Sequence, residues 1–285
     1  MTIKVAAPLS VVDHRRDIAG LKYVYPVVSR RAGGVSIGIN LNPNNACNWR
    51  CVYCQVPDLV RGSGPTIDLA LLASELDQML NQIVTGDFMQ TAVPVEARRL
   101  NDIAFSGNGE PTTSPQFLEA IELVAAAQQR FDLALKTVLI TNGSQLDKAF
   151  VQEGLRRLAQ IRGEVWFKLD RAPVDGFEFV NQIALKRAQV ERRLAMSAQC
   201  CPTWIQTCMF ATDGQLPSEA ELVAYVDFLA EQMAAGVNLA GVLLYGLARP
   251  SLQTEANRLS AAPTDWMQAL AERIRAIGLE VKLST

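Results

Sequence analysis

Three cysteines, Cys47, Cys51 and Cys54, stand in the segment NPNNACNWRCVYCQVPD with the spacing C-x3-C-x2-C. Three thiolates within eight residues, on a stretch rich in asparagine and proline, can wrap a metal centre. Thiolate ligands favour zinc or an iron–sulfur cluster. A structural zinc site asks for a fourth protein ligand, yet no further cysteine or histidine lies close by, and the lone histidine is His14. A 4Fe-4S cluster held by three cysteines instead leaves one iron open for another molecule. The competing readings are zinc and three unligated core thiols.

The remaining polar residues of interest come in short strings: Gly107-Asn108-Gly109-Glu110, TNGS with Asn142 and Ser144, FKLD with Lys168 and Asp170, and LARPS with Arg249. Cys200, Cys201 and Cys208 form C-C-x6-C. Adjacent cysteines point different ways and buried free cysteine is common, so these read as core, with an auxiliary cluster or a catalytic thiol as alternatives. Arg30, Arg31 and Arg50 make the notable basic group near the cysteine loop, a solvated face or a phosphate-binding one. His14, flanked by Asp13, Arg15 and Arg16, reads as exposed, with lining of the pocket as the alternative.

These strings need elements to hold them. Strand-like runs span Val35–Asn42, Asn101–Gly107, Lys136–Thr141, Glu164–Asp170, Thr203–Phe210 and Gly241–Gly246, the first alternating apolar with small or polar residues. Between them lie amphipathic stretches. Asp68 is placed to cap a helix to about residue 84, Ser114 and Pro115 to open a second, and Ser218 with Glu221 to form a capping box. A helix is expected over about 145–160, a weakly patterned one around 177–195, and a last one from Trp266 to Ile277, stopped by Gly278. Residues 86–100 read as a long loop, and the tail LEVKL as one more strand. Strand–helix alternation implies an α/β fold with a parallel sheet and outer helices, either doubly wound or curved into a barrel. In either, ligands gather beyond the carboxyl ends of the strands, where the cysteine loop, GNGE, TNG, LDR and LARPS all fall. The chain divides into an extension over 1–34, a core over 35–250, and a C-terminal helix and possible strand over 251–285, all in one domain.

The C-x3-C-x2-C loop after the first strand, with Tyr53 just before the third cysteine, resembles the signature of the radical S-adenosylmethionine (SAM) superfamily. Gly107-Asn108-Gly109-Glu110 resembles that family's glycine-rich motif for the methionine amino group, although Asn108 replaces the commoner glycine. NLNPNNACNWRCVYCQV, FSGNGEPT, VLITNGS and FKLD look like the branch that holds wybutosine-type tRNA-modifying enzymes and uncharacterised iron–sulfur oxidoreductases. The resemblance covers roughly residues 35–250 and implies a partial (β/α)6 TIM-like barrel. It also implies a 4Fe-4S cluster on Cys47, Cys51 and Cys54, with SAM on the open iron, cleaved reductively to a 5′-deoxyadenosyl radical that abstracts hydrogen from a substrate. Glu110 then accepts from the SAM ammonium, helped by the backbone of Gly107, Asn108 and Gly109; a solvated turn is the plainer alternative. Tyr53 packs on the cluster or contacts adenine, or simply packs. Asn142, Ser144, Lys168 and Asp170 contact ribose or the methionine carboxylate. Lys168 and Asp170 sit two apart and share a strand face, so a structural ion pair competes. Gln206 makes an inward polar contact or a structural hydrogen bond, and Arg249 binds an anionic substrate group or lies on the surface.

Bulk properties narrow the partners. Of 285 residues, 49% are hydrophobic and the formal net charge is -2. That balance disfavours a strongly basic nucleic-acid binder, so a small molecule or a peptide competes with tRNA as substrate. The reductant expected is a flavodoxin or ferredoxin. No apolar run approaches the roughly 18–20 residues needed to span a bilayer, and the N-terminus lacks a secretory pattern. The expected location is the cytoplasm, where thiols stay reduced. The alternatives to an enzyme are a non-catalytic iron–sulfur electron carrier or scaffold, and a zinc-stabilised binding module.

Overall fold

The computed structural model describes residues 8–10, 16, 18–29, 33–172 and 175–285; His14, Arg30 and Arg31 lie outside them. The chain forms two compact units. The first comprises the described residues up to Asn48, Gly62–Ile140 and Lys148–Glu164; the second comprises Trp49–Arg61, Thr141–Asp147 and Val165–Thr285.

In the first unit, β1 (Val24–Ser29) runs antiparallel to β2 (Gly34–Ile39), which pairs in parallel with β3 (Leu100–Phe105), and β3 pairs in parallel with β4 (Lys136–Thr141). The helices are α1 (Leu69–Val84), the short α2 (Phe88–Thr91), α3 (Phe117–Arg130) and α4 (Ala149–Gln160). Every residue of β2 is buried. The alternation expected over Val35–Asn42 is therefore not an in–out pattern, because parallel strands in α/β proteins are covered on both faces. Asp68 caps α1 by accepting from the Leu71 amide at 3.0 Å.

The opening of α3 differs from expectation. Pro111–Thr113 first make a 3-10 turn capped by Glu110, and the helix starts at Phe117. Ser114 is extended, with φ −70° and ψ 128°, as the residue before a proline tends to be; its hydroxyl accepts from the Gln116 amide at 3.3 Å, so it opens a turn ahead of the helix, whose cap position is Gln116. Strand β1 and the short helix in the expected 86–100 loop were not foreseen. Entry to β1 is held by Glu75 of α1, a buried carboxylate that accepts from the amides of Lys22, Tyr23 and Val24 at 2.8, 2.7 and 3.2 Å. Glu75→Ala leaves those amides unmatched, at a cost of about 3–5 kcal/mol. Urea denaturation checks this; a variant within about 1 kcal/mol of wild type contradicts it.

In the second unit, β5 (Gly163–Lys168), β6 (Thr203–Thr212), β7 (Leu239–Gly246) and β9 (Val281–Ser284) pair in parallel in that order, and β8 (Leu259–Ala261) adds antiparallel to the end of β6. The helices are α5 (Asp175–Val180), α6 (Arg187–Cys200), α7 (Glu219–Ala234) and α8 (Thr264–Ala276). Ser218 and Glu221 cap α7 reciprocally, and Gly278 follows α8 with φ 92°. The tail strand forms as β9. The single helix expected around 177–195 is instead two, α5 and α6, broken over residues 181–186 where Gln182 turns left-handed at φ 51°.

Candidate functional site

In the first unit, the loop after β2 and the turn after β3 are built around each other. Asn40 Oδ1 accepts from the amides of Asn42 at 3.0 Å and Asn108 at 3.1 Å. Asn42 Nδ2 donates to the Ala46 carbonyl at 3.0 Å, and Asn108 Nδ2 to Asn45 Oδ1 at 2.7 Å. The glycines flanking Asn108 leave no room for a side chain. A Cβ on Gly109 would lie 2.0 Å from the Ala46 carbonyl oxygen, and one on Gly107, whose φ is 134°, would lie 2.4 Å from Asn40 Oδ1. The backbone at Asn108 does not enter the left-handed region, so asparagine fits there. Glu110 is 2% exposed; its Oε1 accepts from the Thr112 amide at 3.2 Å and hydroxyl at 2.5 Å. The solvated-turn reading of Glu110 is thereby corrected: the carboxylate points inward because it caps a buried turn. Cys47 closes this loop, its carbonyl accepting from the Gly62 amide at 3.0 Å.

Cys51 and Cys54 belong to the second unit. Their loop is tied down on two sides. The amides of Arg50 and Val52 donate to the carbonyls of Asn181 and Val180 at 3.2 and 2.8 Å. From the other side, Ser251 Oγ donates to the Val52 carbonyl at 2.7 Å, the Leu252 amide to the Cys54 carbonyl at 2.9 Å, and Gln253 Nε2 to the Val56 carbonyl at 3.0 Å. Arg50 locks this strap by a two-pronged contact with Glu255, each bond 3.0 Å, while also reaching Gln182 at 2.6 Å and Thr254 at 2.7 Å. The Arg50 hydrogen bonds hold the Glu255 carboxyl below its ordinary pKa. Arg50 is thus a structural clamp, which corrects its reading as a solvated or phosphate-binding residue. Arg249, at the start of the strap, is half-buried and lends its carbonyl to Gln55 at 3.1 Å.

Beneath the loop lies a buried polar network. Asp170, with no exposed surface, accepts from Tyr53 Oη at 2.6 Å, Asn181 Nδ2 at 2.9 Å and the Cys208 amide at 2.9 Å. Lys168 Nζ donates to Tyr53 Oη and stands 3.9 Å from Asp170. Burial works against the Lys168 charge, but the fields of Asp170, Tyr245, Cys51 and Cys208 outweigh it and raise its pKa. Burial, with Asp170 adding to it, raises the Tyr53 phenol pKa. Asn181 Nδ2 also donates to Cys51 Sγ at 3.2 Å. Burial pushes the Cys51 thiol up to about 12, with Lys168 and the Asn181 hydrogen bond pulling the other way. Gln206 is buried opposite Lys168 in the β5–β6 ladder. Asn142 Oδ1 accepts from the Ser144 amide at 2.9 Å, and Asn142 lines a small recess with Lys168, Trp49 and Phe167.

The fold thus gathers Gly107, Asn108, Gly109 and Glu110 beside the approach to Cys47, and Tyr53, Lys168 and Asp170 beside Cys51, with Asn142 on a recess shared with Lys168. Asn40, Asn42, Asn181, Ser251 and Glu255 were missed. The first two stand in the quoted NLNPNN string and Ser251 ends the quoted LARPS string, whereas Asn181 and Glu255 carry no local signal.

None of the six cysteines forms a disulfide, and Cys47, Cys51 and Cys54 are half-buried while Cys201 and Cys208 are buried. Half-buried thiols on a tied loop suit a thiolate-held centre. Among the described residues no three His, Cys, Asp or Glu side chains form a candidate site for a metal ion; cysteines on a cubane each hold a different iron and need not meet at one point. Cys200 ends α6 and Cys208 lies along β6. Five steps along the strand lead from Thr203 to Cys208, about 17 Å at the usual rise, so Cys200, Cys201 and Cys208 do not share a second cluster.

The fold is that of the radical SAM enzymes, an α/β architecture of mostly parallel strands with flanking helices. One solved relative is TYW1 with a lysine-pyruvate adduct bound, at TM-score 0.56 and 14% identity over 87% of this chain and 74% of that one. Another is a radical SAM methyltransferase from Sphaerobacter thermophilus, at TM-score 0.53 and 17% identity over 88% of this chain and 66% of that one. Among curated proteins, a UPF0026 protein of Helicobacter pylori is 29% identical over 160 residues, 55% of this chain and 45% of that protein. The match thus spans about half the length of the curated relative. No family model matches the chain. Among the described residues no helix is long and apolar enough to cross a membrane.

Proposed function

We propose that the chain is a radical SAM enzyme whose 4Fe-4S cluster is held by Cys47, Cys51 and Cys54. The observation that carries this reading is, on this fold, a glycine-flanked turn that ends in a buried carboxylate and packs on the stretch leading into Cys47, the first cysteine of the C-x3-C-x2-C loop. Cluster and SAM together supply one-electron cleavage of SAM and a nucleoside radical able to take hydrogen from a substrate. The chain's own residues bind and orient. Glu110 accepts from the SAM ammonium, and the backbone of Gly107, Asn108 and Gly109, packed on Asn40 and Ala46, holds the turn that presents it. Asn142, Ser144 and Gln206 offer polar contacts to the nucleoside. Tyr53, Lys168 and Asp170 bond chiefly to one another, which supports a role in shaping the wall beside Cys51 more than direct ligation.

The solved TYW1 structure carries a lysine-pyruvate adduct. Lys168 is a poor candidate for the same chemistry, because its Nζ is engaged in the buried network, donating to Tyr53 Oη and standing 3.9 Å from Asp170. Substrate class stays as composition leaves it: a small molecule, a peptide or tRNA, with a flavodoxin or ferredoxin as reductant. The test is anaerobic reconstitution with iron and sulfide, then dithionite and SAM. The expected product is 5′-deoxyadenosine. A full cluster that never yields it would identify an electron carrier or scaffold instead.

A further inference from the structure

We infer that Asn181 is a positioning residue for Cys51, and that its amide makes the cluster easier to reduce by donating a hydrogen bond to the ligand sulfur. This rests on the reading of Cys51 as an iron ligand given above.

Asn181 sits in the break between α5 and α6, with no exposed surface. Main-chain bonds bracket Cys51 against it: the amide before Cys51 donates to the Asn181 carbonyl, and the amide after it to the Val180 carbonyl. Cys51 is therefore held in register with Asn181. The side chain is aimed in the same direction. Nδ2 spends its two hydrogens on Cys51 Sγ at 3.2 Å and Asp170 Oδ2 at 2.9 Å. The carboxylate decides which end of the amide faces the sulfur, since an amide oxygen there would meet two acceptors. Among the described residues the other end, Oδ1, is buried without a hydrogen-bond partner. Burying an unmatched acceptor is unfavourable, so an asparagine chosen for packing or helix termination would not be left this way. The donor end is what the site requires, and Asp170, itself fixed by Tyr53 and the Cys208 amide, orients it.

Hydrogen bonds to the sulfurs are among the factors that set the potential of an iron–sulfur cluster. A donor on Cys51 withdraws electron density from the thiolate and favours the more negative, reduced state. The carboxylate of Asp170 opposes an added electron and the ammonium of Lys168 favours it, so the amide adds a neutral contribution between two charges.

The test is a redox titration followed by electron paramagnetic resonance, on reconstituted wild type and Asn181→Leu without SAM. The expected result is a lower midpoint in the variant. At the wild-type midpoint its reduced-to-oxidised ratio falls about tenfold, which is about 59 mV for one electron. A second measurement needs no variant: with the asparagine side-chain amide labelled with nitrogen-15, the reduced wild-type cluster shows a nitrogen hyperfine coupling. An unshifted midpoint in an assembled variant, or absence of the coupling in wild type, overturns the inference alone. A wild-type protein that takes up no cluster overturns the functional reading, and this inference with it.

Discussion

Cys51→Ala protein, reconstituted anaerobically with iron and sulfide, will hold almost no cluster and release no 5′-deoxyadenosine. The cysteine loop supplies three sulfurs and nothing in reserve. Cys208 is buried in the apolar cluster beneath the loop with Val52, Tyr53 and Phe210. If the three thiolates hold the cubane as proposed, the two that remain cannot fix it, so the loss is of the cofactor and not of one increment of affinity. The fold survives, because Cys51 is bound into the structure mainly through the main chain of its neighbours. Cys208→Ala is the matched control. It removes a buried thiol of the same apolar cluster at a cost of about 1 kcal/mol, and should keep both iron and product. Iron content and product yield measured together decide the matter. Near-normal iron in Cys51→Ala would defeat the ligand assignment, and loss of iron in both variants would trace the defect to the core.

What could be read from the chain beforehand divides along physical lines. Elements whose signal is local were recovered: the Asp68 cap of α1, the reciprocal cap of α7, the stop at Gly278, and loops beyond strand ends carrying the polar strings. The cysteine spacing and the GNGE turn were legible for the same reason, since each is a short segment whose chemistry is its own. The failures are of two kinds. In one, two local signals stand side by side, as where the Glu110-capped turn over Pro111–Thr113 and the Ser114 turn onto Gln116 both precede a helix that starts only at Phe117. In the other, the partner is remote. Arg50 looked like a surface charge because Glu255 is 205 positions away. Asn181 looked like nothing because both of its acceptors are supplied by other segments. The i, i+2 spacing did bring Lys168 and Asp170 onto one face, but Tyr53 completed the group from a distance of 115 residues. A site assembled from loops of separate strands shows its motifs in the sequence and conceals the bonds that hold them.

Glu110→Gln should weaken SAM binding by about 10- to 150-fold, the loss of a charge-assisted hydrogen bond of about 1.5–3 kcal/mol, while leaving the cluster intact. The choice of glutamine matters because the proposal gives Glu110 a second job beside the turn cap. Its Oε1 caps the Pro111–Thr113 turn through the Thr112 amide and hydroxyl, and a glutamine carbonyl can still accept both. What glutamine cannot supply is the negative charge that an ammonium needs in a buried setting. Glu110→Ala removes both functions, leaves the Thr112 amide without its acceptor, and should lower thermal stability as well. Isothermal titration of SAM into the reconstituted variants, with cluster absorption and melting temperature as companions, separates the two. If the glutamine variant binds SAM as tightly as wild type, Glu110 is a turn cap only, and the ammonium must be held by another group.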